Sequence, residues 1–137
     1  MPKPRSKRSP FLEDIWPCKV DVHYFIQPNG KCPAEDNFFN DAKQVSKAEK
    51  ARLVAMIRRY ALEGEIKGEK RFRRLKGRVR DFCEIKAHQH RLLFFMEGQN
   101  IIIITHGFVK KTNRLRPEEE DRMLAYREIY NNQTLYE

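Results

Sequence analysis

At 137 residues the chain suits one domain, long enough to bury about two-thirds of its surface without staples, and its 28 Lys and Arg against 19 Asp and Glu leave a net charge of +9. That balance points to polyanions, nucleic acid first, with an acidic protein partner or plain solubility as the other readings. Cys18, Cys32 and Cys83 contain no C-x-x-C pair, which disfavours a zinc ribbon and a disulfide framework, and no run approaches the roughly 18 apolar residues of a membrane span.

Residues 1–17 carry Pro2, Pro4, Pro10 and Pro17 among Lys3, Arg5, Lys7 and Arg8, with little to bury before Phe11. Such a segment is expected to be a mobile basic arm, because apolar burial cannot offset its ordering entropy. It has no apolar signal region, so a reducing cytoplasm is the expected setting. The single domain is then expected over 18–137.

From Lys19 to Ile26, Val20, Val22, Tyr24 and Ile26 alternate with Asp21, His23 and Phe25, the pattern of a half-buried strand, which Pro28-Asn29-Gly30 ends. Pro33, Glu35 and Asp36 suit a helix start, and Phe38, Phe39, Ala42 and Val45 recur at helical spacing. Ser46 and Glu49 form a capping box before a second helix whose stripe of Leu53, Met56, Ile57, Tyr60 and Ala61 stops at Gly64. Together they predict a helical hairpin that needs a sheet to cover.

Between Glu65 and Arg80 the composition turns cationic, with Lys67, Lys70, Arg71, Arg73, Arg74, Lys76, Arg78 and Arg80 opposed by Glu65 and Glu69. The run reads as a short edge strand with a loop at Gly77, and its cations as a patch for phosphates or an acidic partner, or as a solvated loop. Alternation from Val79 to Lys86 gives a strand. Leu92 to Met96 and Ile101 to Ile104, separated by Glu97-Gly98-Gln99-Asn100, read as two central strands joined by a tight turn. Arg116-Pro117-Glu118-Glu119-Glu120-Asp121 then opens a last helix through Met123, Tyr126, Ile129 and Tyr130. His88 and His90 form an H-x-H that would hold a metal only weakly; no metal and no cofactor is expected.

The ordered set LKGRVRDFCEIK, HRLLFF, HGFVKKT and a Pro-initiated acidic helix ending REIY, with Tyr24 to Phe39 upstream, resembles the HigB-like, phage-associated branch of the RelE/ParE toxin superfamily over about residues 19–130. HGFVKKT, His106 to Thr112, is the most specific element. The resemblance implies an α+β fold, a small twisted, mainly antiparallel sheet packed against an N-terminal helical hairpin with a closing C-terminal helix. It implies the toxin of a type II toxin–antitoxin pair, a ribosome-dependent mRNA endoribonuclease that inhibits translation. The implied partners are a cognate antitoxin, a helix-turn-helix protein of HigA-like type, and the ribosome with its mRNA. Operator DNA would be met only through the antitoxin complex, and no membrane is involved.

Metal-free RNA cleavage needs a base for the 2′-hydroxyl, cations for the charge developing on phosphate, and an acid for the leaving oxygen. Arg91 matches the superfamily arginine beside the scissile phosphate. Lys86 stands where the wider family places a cationic catalytic residue, and neighbouring cations are expected to lower its proton affinity. His106 is the third catalytic candidate. Lys110 and Lys111 match the family's lysine pair and are assigned, with Arg73, Arg74 and Lys76, to RNA or ribosome contact. The sequence departs from the family pattern at Cys83, where an aromatic residue is usual, and at Lys86, where arginine is. Tyr130 fits core packing better than a site role. Two other readings stay open: a ParE-like poison that binds gyrase without cutting RNA, and a repurposed phage protein that binds nucleic acid by charge alone.

Overall fold

The computed structural model describes residues 4–64, 72–111 and 115–133. Among the described residues six strands form one mixed sheet: β1 (Ser6–Arg8), β2 (Asp21–Phe25), β3 (Phe72–Arg74), β4 (Phe82–Ala87), β5 (His90–Glu97) and β6 (Ile101–Val109), in the order β1-β2-β6-β5-β4-β3. Only β2 and β6 run parallel, Asp21 beside Ile101 through Tyr24 beside Ile104; the other pairs are antiparallel. The two apolar runs form the central hairpin of β5 and β6, as their composition dictates.

A helix packs on each face of the sheet. Helix α1 (Lys47–Glu63) lays Leu53, Ile57 and Tyr60 against Ile85, Leu92, Phe94 and Ile102. Each of the fully buried Leu53 and Ile57 side chains contributes about 1.5–3 kcal/mol of hydrophobic stabilisation. The capping box is formed in both directions, Ser46 Oγ accepting from the Glu49 amide at 3.2 Å and Glu49 Oε1 from the Ser46 amide at 2.9 Å. Gly64, at φ 81°, closes the helix in the left-handed region that glycine alone enters cheaply. Helix α2 (Pro117–Gln133) crosses the opposite face, where Met123 and Tyr130 meet Phe82, Leu93, Phe95 and Ile103. Tyr130 is thus a core residue, its ring 5.2 Å from that of Phe95.

Two expectations are corrected. The N-terminal helical hairpin is not formed: in place of its first helix stands one wide turn, Glu35–Phe39. Phe38 and Phe39 are buried by that turn, but the Asp41 carboxylate accepts from the Lys43 amide at 3.0 Å and Gln44 Nε2 at 3.1 Å. These local bonds compete with helical ones and end the segment before α1. Nor do residues 4–17 stand off as an arm. Ser6–Arg8 pairs with β2, a 3-10 turn (Pro10–Ile15) buries Leu12 completely, and Ser9 Oγ donates to the Tyr24 hydroxyl at 2.8 Å. One leucine and a polar anchor replace the apolar run that the segment lacks.

Register in β6 shifts opposite Leu93 and Phe94: Phe94 faces Ile104 but Leu93 faces His106, leaving Thr105 as a bulge. In an unbroken strand His106, Phe108 and Lys110 would share the face of Ile102 and Ile104, under α1. The extra residue turns them to the α2 face, the re-aiming that bulges commonly accomplish. Gly107 then faces Phe38, and a Cβ there would lie 2.4 Å from the ring. The glycine of HGFVKKT is required by that approach.

Candidate functional site

Beyond the end of α2's cover, the α2 face of the sheet carries a group of cations around one acid. Antiparallel pairing sets Arg73 beside Glu84 and Lys86 beside Arg91, with Arg91 in turn beside Phe108. Lys110 follows β6 and continues the ladder, its amide donating to the Gln89 carbonyl at 2.6 Å. The tight turn at His88 and Gln89, His88 at φ 56°, holds the β4–β5 register that aligns these side chains.

Glu84 is wholly buried, at 0% exposure, while Arg91 and Lys110 retain 7% and 8%. Arg73 Nη2 lies 3.2 Å and Arg91 Nε 3.9 Å from Glu84 Oε1, ion-pair contacts without formed hydrogen bonds among the described residues. An acid so placed is tolerable only because cations surround it. Arg91 is fixed by Nη1, which donates to the carbonyls of His88 and His90, the latter at 3.0 Å. Burial makes the Arg91 guanidinium easier to deprotonate than usual, against the pull of Glu84.

Burial likewise lowers the proton affinity of Lys110; Glu84 opposes the shift, and Arg91, Arg73 and Lys86 reinforce it. Among the sheet lysines this one couples burial to a cationic neighbourhood, the combination that prepares an amine for proton transfer.

His106 is one row away, opposite Leu93, and buried under α2. Its ring lies 5.6 Å from that of Tyr126, its Nδ1 contacts Thr105 Oγ1 at 3.2 Å, and its Nε2 is 3.6 Å from Glu119 Oε1. Burial favours the neutral imidazole. Burial raises the Glu119 carboxyl, but His106, Arg122 and Arg116 outweigh it, and Arg122 Nη1 holds the carboxylate at 2.7 Å.

The expected site residues therefore divide. Arg73 and Arg91 lie within ion-pair distance of Glu84, Lys110 feels its charge, and Lys86 is the cross-strand partner of Arg91. Arg74 faces the other way, beside Cys83 on the α1 side, and Lys76 lies exposed beyond the edge strand. His106 and Lys111 border a separate cleft of about 560 Å³ between the end of β6, α2 and the segment before α1. Arg78 is held by Glu120 at 2.8 Å and Asp121 at 2.7 Å. The H-x-H does not act as a unit: His88 is exposed, whereas buried His90 donates from Nε2 to the Gln44 carbonyl at 2.7 Å. Lys67, Lys70 and Arg71 of the basic run, and Thr112 of HGFVKKT, lie outside the described residues.

Sequence reasoning missed Glu84 as the centre of the group, although an acid alternating with Lys86 inside the most basic stretch was its signal. It missed Glu119, Arg122 and Tyr126, which only the docking of α2 brings to His106. Among the described residues no helix is long and apolar enough to cross a membrane. No curated protein matches the chain. The family comparison does, over residues 40–128, a span that holds the cations around Glu84, the bulge and both sides of the His106–Glu119 contact: the chain belongs to the phage derived protein Gp49-like (DUF891) family.

Proposed function

We propose that this protein is the toxin of a type II toxin–antitoxin pair, of the HigB-like branch of the RelE/ParE superfamily, and that it is a metal-independent endoribonuclease cutting mRNA on the ribosome. The observation that carries the reading is the group of Arg73, Arg91 and Lys110 around buried Glu84, with Lys86 paired to Arg91, on the α2 side of the sheet.

Lys110, whose proton affinity burial and neighbouring cations lower against the pull of Glu84, takes the proton of the ribose 2′-hydroxyl. The 2′-oxygen attacks phosphorus, the bond from phosphorus to the 5′-oxygen breaks, and a 2′,3′-cyclic phosphate is left. Arg91 meets the charge on the non-bridging oxygens with a planar fork that matches phosphate geometry. Lys86, half-buried in the same cross-strand row, returns a proton to the leaving 5′-oxygen. His106, under α2, positions that helix. The toxin works in the cytoplasm, and a helix-turn-helix antitoxin with an acidic segment neutralises it by covering the cationic face, contacting operator DNA as a complex.

A second reading has one observation in its favour. The Arg91 fork is partly engaged by the carbonyls of His88 and His90, which suits a ParE-like poison that acts by binding. Induced expression in a bacterial host, wild type beside Arg91→Ala, separates the two. Growth arrest with new mRNA 5′ ends inside translated frames, both lost in Arg91→Ala, supports the nuclease. Arrest with intact transcripts supports the poison. Soluble protein that neither arrests growth nor cuts mRNA overturns both.

A further inference from the structure

The cleft beside His106 is not the cationic group around Glu84. It opens where β2 ends: β2 pairs with β6 only from Ile101 to Ile104, so the edge of β6 from His106 to Val109 becomes the floor of a cavity. Lys43 stands on the wall before α1, Lys111 on the floor, and Arg116 and Arg122 on the α2 wall. Lys43, Lys111 and Arg116 are exposed, and none has an ion-pair partner among the described residues. The acid at the site, Glu119, is already held by Arg122 at 2.7 Å. Between the cationic walls the cleft is lined by half-buried Tyr126 and by Phe108, a core residue at 9% exposure.

Cations on both walls with aromatic surface between them is the composition of a track for single-stranded nucleic acid, backbone phosphates on the cations and a base against a ring. At about 560 Å³ the cleft lies within the usual 300–1,000 Å³ of small-ligand sites. An acidic peptide would use the cations and leave the rings without a purpose. Phe108 joins the cleft to the cationic group, because it is the cross-strand neighbour of Arg91.

We infer that this cleft binds one nucleotide of a single-stranded RNA, its phosphate between Lys43, Lys111 and Arg116 and its base packed on Tyr126, beside Phe108. The choice of RNA rests on the nuclease reading above; the chemistry of the cleft does not require the cut. The nucleotide it holds flanks the one at Arg91.

The test is binding of a fluorescent oligouridylate hexamer and of uridine monophosphate to the full chain, with no ribosome and no cleavage readout. The Lys43→Ala/Arg116→Ala protein alters two exposed side chains, so its folding is not at stake. It is expected to bind both probes about tenfold more weakly, with a shallower dependence on salt. Tyr126→Leu is expected to weaken the hexamer by a similar factor, and Lys47→Ala/Arg52→Ala, which alters exposed α1 cations, to leave both affinities unchanged. Equal losses from the two double variants would overturn the inference by reducing it to general charge. So would a hexaglutamate peptide that binds wild type as tightly as the hexamer, which would assign the cleft to a protein partner. If the nucleotide binds as described but no mRNA is cut in cells, the nuclease reading fails and the cleft stands; the converse result removes the cleft alone.

Discussion

Glu84 and Arg91 lie diagonally across the β4–β5 ladder, Oε1 3.9 Å from Nε, and solvent reaches almost none of either side chain. Each makes the burial of the other tolerable. Removing the acid would leave Arg91, Lys110 and Arg73 facing one another with no anion between them. Glu84→Ala is therefore expected to cost about 3 kcal/mol of folding stability, read as a lower urea midpoint at unchanged slope. Glu84→Gln, of the same size, is expected to lose nearly as much, because charge rather than volume is missing. A Glu84→Gln midpoint equal to wild type would show that the cations do not need the carboxylate.

Phe38 over Gly107 makes a second test. Gly107 lies in a strand without left-handed geometry, so a methyl group costs only what the Phe38 ring, 2.4 Å from the would-be Cβ, must give up to accommodate it. Gly107→Ala should destabilise by about 1–3 kcal/mol. Phe38→Leu in the same chain should return part of that, making the pair non-additive. Additive losses in the double variant would mean the two side chains do not compete for one space.

The segments that could be read from sequence are those whose local signals agree with their packing. The Ser46–Glu49 box, Gly64 and the stripe through Leu53 and Ile57 set α1 without reference to anything distant, and Pro117 with three following acids set α2. The pairing of Lys86 with Arg91 was not legible in the same way, because it depends on the two-residue turn at His88 and Gln89 that sets the β4–β5 register. Thr105 had no such signal. Its bulge decides the face on which His106, Phe108 and Lys110 emerge, and depends on pairing with Leu93 and Phe94. Strict alternation from Ile102 and Ile104 sends all three into the α1 core. The turn at Phe38–Phe39 was misread for the opposite reason: helical spacing was present, but Asp41 offered its neighbours better local bonds. Lys110, rather than Lys86, is singled out as the buried lysine by the same bulge, a tertiary effect that residue types along one strand do not carry.

His106 gives the fold a pH dependence of known sign. Its folded-state proton affinity lies below the ordinary histidine value of 6.5 because it is buried, with Glu119 opposing. As pH falls below 6.5 the unfolded chain takes up a proton that the folded chain refuses, so stability drops until the folded pKa is passed. Glu119, also depressed, adds a loss of the same sign at lower pH, below 4.5. The slope of unfolding free energy against pH between neutral and mildly acid conditions should be smaller in His106→Gln than in wild type, whatever the two proteins' absolute stabilities. Identical slopes would mean His106 titrates alike in both states.

If Lys110 is the base, its lowered proton affinity must appear in the reaction. Single-turnover cleavage of ribosome-bound mRNA should rise with pH through an apparent pKa below the 10.5 of an unperturbed lysine. Lys110→Arg keeps the positive charge and cannot give up its proton in this range, so it should bind RNA and lose about 10²–10⁴ in cleavage rate together with the pH dependence. Arg91→Lys makes the complementary change, keeping charge while losing the fork, and should lower the rate about tenfold or more with the pH profile unmoved. The two variants thus separate proton transfer from charge stabilisation on adjacent side chains. A Lys110→Arg protein that cuts at the wild-type rate with the wild-type profile would move the base to another residue of the group, and Lys86, across the ladder from Arg91, is then the side chain whose substitution should erase the profile.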